Sequence, residues 1–299
     1  MAEAPQTGTI PAVRAAHLVG ATQVARDAEV RQSPNGVRFA TFGETGLANV
    51  DLDRILEAVP AGIVAALNAN TYYFVPLALR ENAEATKKPE TAMVASDYTD
   101  EFSDSAICHR NVELGSGKRG VFISTRLLAD RFALSFEFFI NVAHAFVDQA
   151  GVPEAFSELV WKQAVDNTRG ETSLDAWESR NLAFGRLADA QPDPIATASR
   201  RPRAVAPSRS FQNTLAIAAG EAPANIDEKE RTAYIAAAFT DAVAIYLLSL
   251  ALDFDYTELR EREYPLLAPA ALAARLRFVA ELFPPNPSYE FAVRYRRRA

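Results

Sequence analysis

Apolar and polar positions follow two regimes along the chain. Before about Leu128, short apolar runs alternate or cluster between turn residues, and beyond it they recur at helical spacing. Val37–Phe42 (VRFATF) alternates after an Asn35-Gly36 turn and predicts a strand. The spacing over Asp51–Asn68 predicts a helix that Pro60 kinks or divides. Tyr72–Leu79 (YYFVPLAL) predicts a strand, Asn82–Glu90 a charged loop, Thr91–Ser96 a strand and Asp97–Asp104 an acidic loop. Ala106–Leu114 and Gly120–Arg126 predict a hairpin closed by Gly115-Ser116-Gly117-Lys118.

The remainder predicts helices. One starts near Leu128 and stops at Gly151-Val152-Pro153. Others cover Glu154–Asn167, Ser173–Leu187 with Ser173 as N-cap, Asp227–Leu252, and Ala268–Leu282 before Pro284-Pro285. Residues 190–226, rich in proline and arginine, predict a long surface excursion. Residues 1–34 form a lead-in with a short helix around Val13–Ala25. The expected organisation is therefore a single α+β domain over 35–299. A mixed sheet with one crossover helix and a central helix occupies 35–150, and a helical part occupies 151–299.

The helix after the hairpin carries the most informative pattern. Residues 132–148 read FALSFEFFINVAHAFVD, and beyond Ser135 the polar side chains are Glu137, Asn141, His144 and Asp148. At 3.6 residues per turn they fall within about 60° of one another. A helix apolar over most of its circumference is a buried one, and buried carboxylates and imidazoles are costly unless paired or metal-bound. This stripe is the first candidate site. His144 and Asp148, four residues apart on one face, are able to reach one metal ion or share a hydrogen bond. The alternative is a structural network closed by arginines such as Arg126 or Arg131.

Asp241 is the second candidate, alone in the apolar segment Thr232–Leu252. That segment has the length of a bilayer span, but its alanine content and central acid favour a buried helix, so no membrane span is expected. If the two apolar helices pack together, Asp241 becomes a third ligand beside His144 and Asp148, with Tyr234 and Tyr246 as donors to the same network. Otherwise Asp241 pairs with an arginine or caps a backbone group.

Net charge −7 over 299 residues argues against general nucleic-acid binding. One cysteine, Cys108, rules out an intrachain disulfide and a cysteine-based zinc cage. Cys108-His109 does not read as a nucleophile–base pair, because adjacent strand residues point to opposite faces. The start, MAEAPQTGTIPAVR, lacks a secretory pattern, and a soluble cytoplasmic protein is expected.

The order of sheet, hairpin and apolar helix with a histidine resembles the zincin metallopeptidases, whose active helix reads H-E-x-x-H. In Phe139–Asp148 (FINVAHAFVD) His144 matches the first ligand position. Phe239–Leu248 (FTDAVAIYLL) resembles the later ligand helix of the gluzincin branch, with Asp241 where that family has Glu. The resemblance spans roughly residues 35–260 and implies a zincin-like arrangement and a zinc ion held by His144, Asp148 and Asp241. It departs from the family at two positions. Ala145 replaces the general-base Glu and Asp148 replaces the second His. Alanine cannot deprotonate a metal-bound water. The resemblance therefore implies a degenerate domain without peptidase activity that acts in binding or assembly with a protein partner. The competing expectation is a metal-dependent or acid–base enzyme using the Glu137/Asn141/His144/Asp148 stripe with Asp241. A di-iron site from Glu137 and His144 lacks later histidines.

Overall fold

The structure, a computed structural model, describes residues 18–80, 92–104, 106–126, 128, 130–185, 226–256 and 264–293. The order is β1 (Leu18–Gly20), α1 (Ala21–Asp27), β2 (Arg31–Gln32), β3 (Arg38–Thr41), α2 (Asn49–Glu57), α3 (Ala61–Val64), β4 (Asn70–Val75), β5 (Leu77–Arg80) and β6 (Ala92–Ala95). There follow α4 (Asp100–Ser103), β7 (His109–Gly115), β8 (Lys118–Ser124), α5 (Arg131–Ala150), α6 (Glu154–Val165), α7 (Leu174–Ala183), α8 (Glu228–Ala251) and α9 (Pro269–Leu282). The protein is α+β. Its strands form a three-stranded sheet ordered β1-β6-β5 and a five-stranded sheet ordered β2-β3-β4-β8-β7.

The chain divides into two compact units that interleave along the sequence. The first takes the described parts of Met1–Arg31, Phe39–Leu47 and Thr71–Ala129. β3 runs parallel to β4, which matches the expected crossover, and the β7–β8 hairpin is antiparallel. Ala21, Val24, Ala40, Tyr73, Val75, Ala78, Val94 and Phe122 form its core. Tyr73 and Phe122 stack at 4.5 Å between ring centroids.

Three expectations change in this unit. YYFVPLAL is two strands in different sheets, because Pro76 has no N–H for the ladder and the chain changes partners there. Beyond the break, Ala78 N–H donates to Ser124 Oγ at 2.8 Å. The lead-in helix lies at Ala21–Asp27, after a strand that pairs with β6, and buries Ala21 and Val24. The acidic loop contains a helical turn, α4. The excursion expected at 190–226 lies almost wholly outside the described residues.

The second unit takes the described parts of Gln32–Arg38, Ala48–Asn70 and Asp130–Ala299. Pro60 divides the helix expected at 51–68 into α2 and α3 and stands at the N-cap of α3. Helix α8 is the axis of this unit. Asp227 caps it, accepting from the N–H groups of Lys229 and Glu230, and every residue from Ala238 to Leu248 is buried. α8 is long and apolar enough to cross a membrane, yet 72% of its most apolar window is buried inside the protein. Helices α5, α6, α7 and α9 pack on it. Phe239 of α8 meets Phe156 of α6 at 4.6 Å and Phe146 of α5 at 6.4 Å between centroids. Phe156 also meets Phe278 of α9 edge-on at 5.5 Å.

Candidate functional site

Helix α5 begins where Asp130 accepts from Phe132 N–H at 2.9 Å, and Gly151 ends it. The polar stripe is present but uneven. Asn141 is buried, Glu137 and His144 are half-buried, and Asp148 is exposed in the last turn. Asn141 Nδ2 donates to the Glu137 carbonyl at 2.7 Å and to Glu137 Oε1 at 2.9 Å. Asn141 Oδ1 is buried without a hydrogen-bond partner among the described residues. Arg131, one of the arginines expected to close the stripe, instead pairs with Asp51 at 2.8 Å.

Asp241 belongs to other company. Thr172 Oγ1 donates to its Oδ2 at 2.7 Å, and the Ser173 side chain also hydrogen-bonds to the carboxyl. Phe146 and Phe239 meet across the α5–α8 contact. His144 and Asp241 each lie two residues away, roughly 160° around their own helix. Each of the two polar groups thus starts from the side of its own helix roughly opposite that ring contact. Among the described residues no group of three or more His, Cys, Asp or Glu side chains is placed to hold a metal ion. As placed, His144, Asp148 and Asp241 do not make the ligand set that the zincin resemblance implies.

What the structure gathers instead is a buried ionic cluster around Glu171. The Glu171 side chain is fully buried. Its Oε1 accepts from Arg180 Nη1 at 3.1 Å and from the Tyr234 hydroxyl at 2.7 Å. Its Oε2 accepts from Arg275 Nη1 at 3.0 Å. Arg275 Nη2 donates to Tyr234 at 3.2 Å, and Arg275 Nε to Gln163 Oε1 at 2.8 Å. Arg180 also donates to the Gly170 carbonyl at 3.0 Å. One carboxylate thereby joins α7, α8 and α9 to the α6–α7 connection.

The backbone of that connection is held as firmly. Glu171 N–H donates to the Pro265 carbonyl at 3.0 Å, and Leu267 N–H to the Glu171 carbonyl at 2.9 Å. Gly170, at φ +77°, lets the two segments touch. A Cβ there would stand 2.1 Å from the Leu266 carbonyl oxygen.

Set beside known proteins, the chain matches no family model, no curated protein and no solved structure. The functional reading rests on the residues themselves.

The electrostatics separate the two buried acids. Glu171 faces two guanidinium groups that never deprotonate. Asp241 has two hydroxyls, with Arg275 and Glu171 as more distant opposing charges, and burial pushes its carboxyl from 3.8 to about 6. Burial likewise pushes the Tyr234 hydroxyl above its ordinary range, keeping it a neutral donor. Strongly perturbed groups mark functional sites as well as structural ion pairs. Of the two expected donors to the Asp241 network, Tyr234 reaches Glu171, while Tyr246 donates to the Phe283 carbonyl at 2.6 Å.

Glu171, Arg180 and Arg275 escape the sequence analysis. Arg275 has a legible signal, because Leu272, Leu276 and Val279 place it on the buried face of α9. Arg180 sits in the narrow stripe Ala176–Arg180–Ala183. Glu171, in NTRGETS, carries none.

Proposed function

We propose that this chain is a binding or assembly protein on a zincin-like plan, without peptidase activity, acting with a protein partner in the cytoplasm. The observation that carries the reading is the commitment of Asp241 to Thr172 and Ser173. Under the zincin resemblance that residue is the third ligand, and here its hydrogen bonds go to protein hydroxyls. Ala145 at the base position and an exposed Asp148 support the same reading. Each expected ligand beyond His144 is thus replaced, exposed or engaged elsewhere.

The test is metal analysis of the purified protein by mass spectrometry, alongside a peptidase assay on unstructured casein. Substoichiometric metal and no cleavage are expected. A stoichiometric transition metal lost in His144→Ala, or casein cleavage lost in that variant, overturns the reading. A second reading, an enzyme using acid–base chemistry, draws on Asp241, whose carboxyl titrates at about 6. It requires a turnover that Asp241→Asn abolishes while the fold is retained.

A further inference from the structure

Asn35-Gly36 is the only Asn-Gly pair in the sequence. Such a pair is chemically labile, because glycine has no Cβ to shield its backbone nitrogen from the preceding side-chain amide. A bond forms between Gly36 N and Asn35 Cγ, and the Cγ–Nδ2 bond breaks. The amide leaves as ammonia, taking the Gly36 proton. Water then opens the imide ring to aspartate or to its β-linked isomer. The net change is amide plus water to acid plus ammonia.

In the folded chain both nitrogens that this reaction uses are engaged. Ser33 to Gly36 form a turn in which the Gly36 N–H donates to the Ser33 carbonyl at 2.9 Å. Asn35 Nδ2 donates to the carbonyls of Leu56 at 2.8 Å and Val59 at 2.7 Å. Its Oδ1 accepts from Ser33 Oγ. Leu56 lies in the last turn of α2, and Val59 stands just beyond it. The attacking nitrogen and the leaving amide are thus pinned to different carbonyls. The side chain cannot swing onto Gly36 without giving up its bonds to the end of α2.

We propose that Asn35 is a spontaneous modification site gated by opening of the Ser33–Gly36 turn, and that the acid it becomes keeps the turn from closing again on α2.

The acid cannot take the place of the amide, for two reasons. An ionised carboxylate accepts and does not donate, so its oxygens would meet the Leu56 and Val59 carbonyl oxygens with no hydrogen between them. Its charge would also stand at the C-terminal end of α2, the negative end of the helix dipole. The β-linked isomer further lengthens the main chain inside the turn. A chain that converts while open therefore loses the contact that had closed it.

Asn286 supplies an internal control. Its Nδ2 donates to the Glu57 and Val59 carbonyls, each at 2.8 Å, at the same helix end. Pro287 follows it, and a proline nitrogen has no proton to give up.

The test is peptide mass mapping of the full chain after incubation in mildly alkaline buffer, with and without guanidinium chloride. Conversion at Asn35 should run at least about tenfold faster in denaturant, because slow modification of an open form tracks the population of that form. Asn286 should not convert in either condition. Equal rates at Asn35, or no conversion in denaturant, overturn the gated site. The block on closing is read on the same converted sample. It is diluted to the midpoint of unfolding and given a brief protease pulse, which removes unfolded chains. A folding constant lowered about tenfold by the acid would deplete converted chains about fivefold among the survivors. Equal proportions before and after the pulse overturn the block.

Discussion

Glu171 and Arg275 stand 3.0 Å apart, oxygen to nitrogen, and neither side chain reaches solvent. A buried ion pair is strong evidence of mutual dependence and weak evidence of net stability, because desolvating two charges opposes their attraction. Glu171→Gln leaves two buried guanidinium groups without a countercharge. A loss of about 3–5 kcal/mol is expected in urea denaturation. Replacing the whole cluster with apolar groups (Glu171→Met, Arg180→Met, Arg275→Met and Tyr234→Phe together) should be less damaging than that single change. If the fourfold variant proves less stable than Glu171→Gln alone, the pair contributes more than its desolvation costs.

Tyr234 tests the same cluster from its neutral side. Its hydroxyl donates to Glu171 at 2.7 Å and accepts from Arg275 at 3.2 Å. Tyr234→Phe keeps the ring and deletes both bonds, leaving a charged acceptor short of one donor. Hydrogen bonds to charged groups are worth about 1.5–3 kcal/mol, and a loss in that range is expected from thermal or urea melts. A change below about 0.5 kcal/mol would mean that another donor, such as a water molecule, takes the hydroxyl's place.

The contrast between the two apolar helices shows what a sequence can and cannot disclose. The polar stripe on α5 is legible because 3.6-residue spacing is a local property, and the helix forms as its spacing implies. The relation between His144 and Asp241 is not local. It depends on which face of each helix meets the other, and Phe146 and Phe239 take that contact. Texture alone does not distinguish an acid turned toward α5 from one turned toward Thr172. The Glu171 cluster is hidden for a further reason. Its members lie in a connection and on three helices; Glu171 and Arg180 are nine residues apart, but Tyr234 and Arg275 reach Glu171 from 63 and 104 residues away, outside any local window. Proline signals are legible where they break an element, as at Pro60. At Pro76 the break is visible but the change of sheet is not, since sheet membership is decided by distant strands.

Gly170 is the point at which the α6–α7 connection and the segment before α9 come into backbone contact. Its positive φ alone would cost a substituted residue about 1–3 kcal/mol. The added Cβ would also press on the backbone of the facing segment, with the Leu266 carbonyl oxygen 2.1 Å away and the Pro265 carbonyl oxygen 2.4 Å away. Gly185 supplies the control, since it too has positive φ (+64°) but, among the described residues, nothing within 4 Å of its added Cβ. Gly170→Ala should therefore destabilise more than Gly185→Ala, and the excess measures the steric term. Equal losses would show that the connection yields without disturbing Glu171.

Asn141 gives the sharpest test of whether the α5 stripe is a site or a packing compromise. Its amide nitrogen is engaged by Glu137, while its Oδ1 is buried with no donor among the described residues. An unsatisfied buried acceptor costs about 1–3 kcal/mol, and replacing it by an apolar group of similar shape is close to neutral. Asn141→Leu gives up the Nδ2 bond, removes the orphaned oxygen and is expected to change stability by less than about 1 kcal/mol in urea denaturation. A larger loss would mean that Oδ1 accepts a bond in solution from a bound water or ligand. The stripe would then hold something, and the enzyme reading would gain the ground that the assembly reading loses.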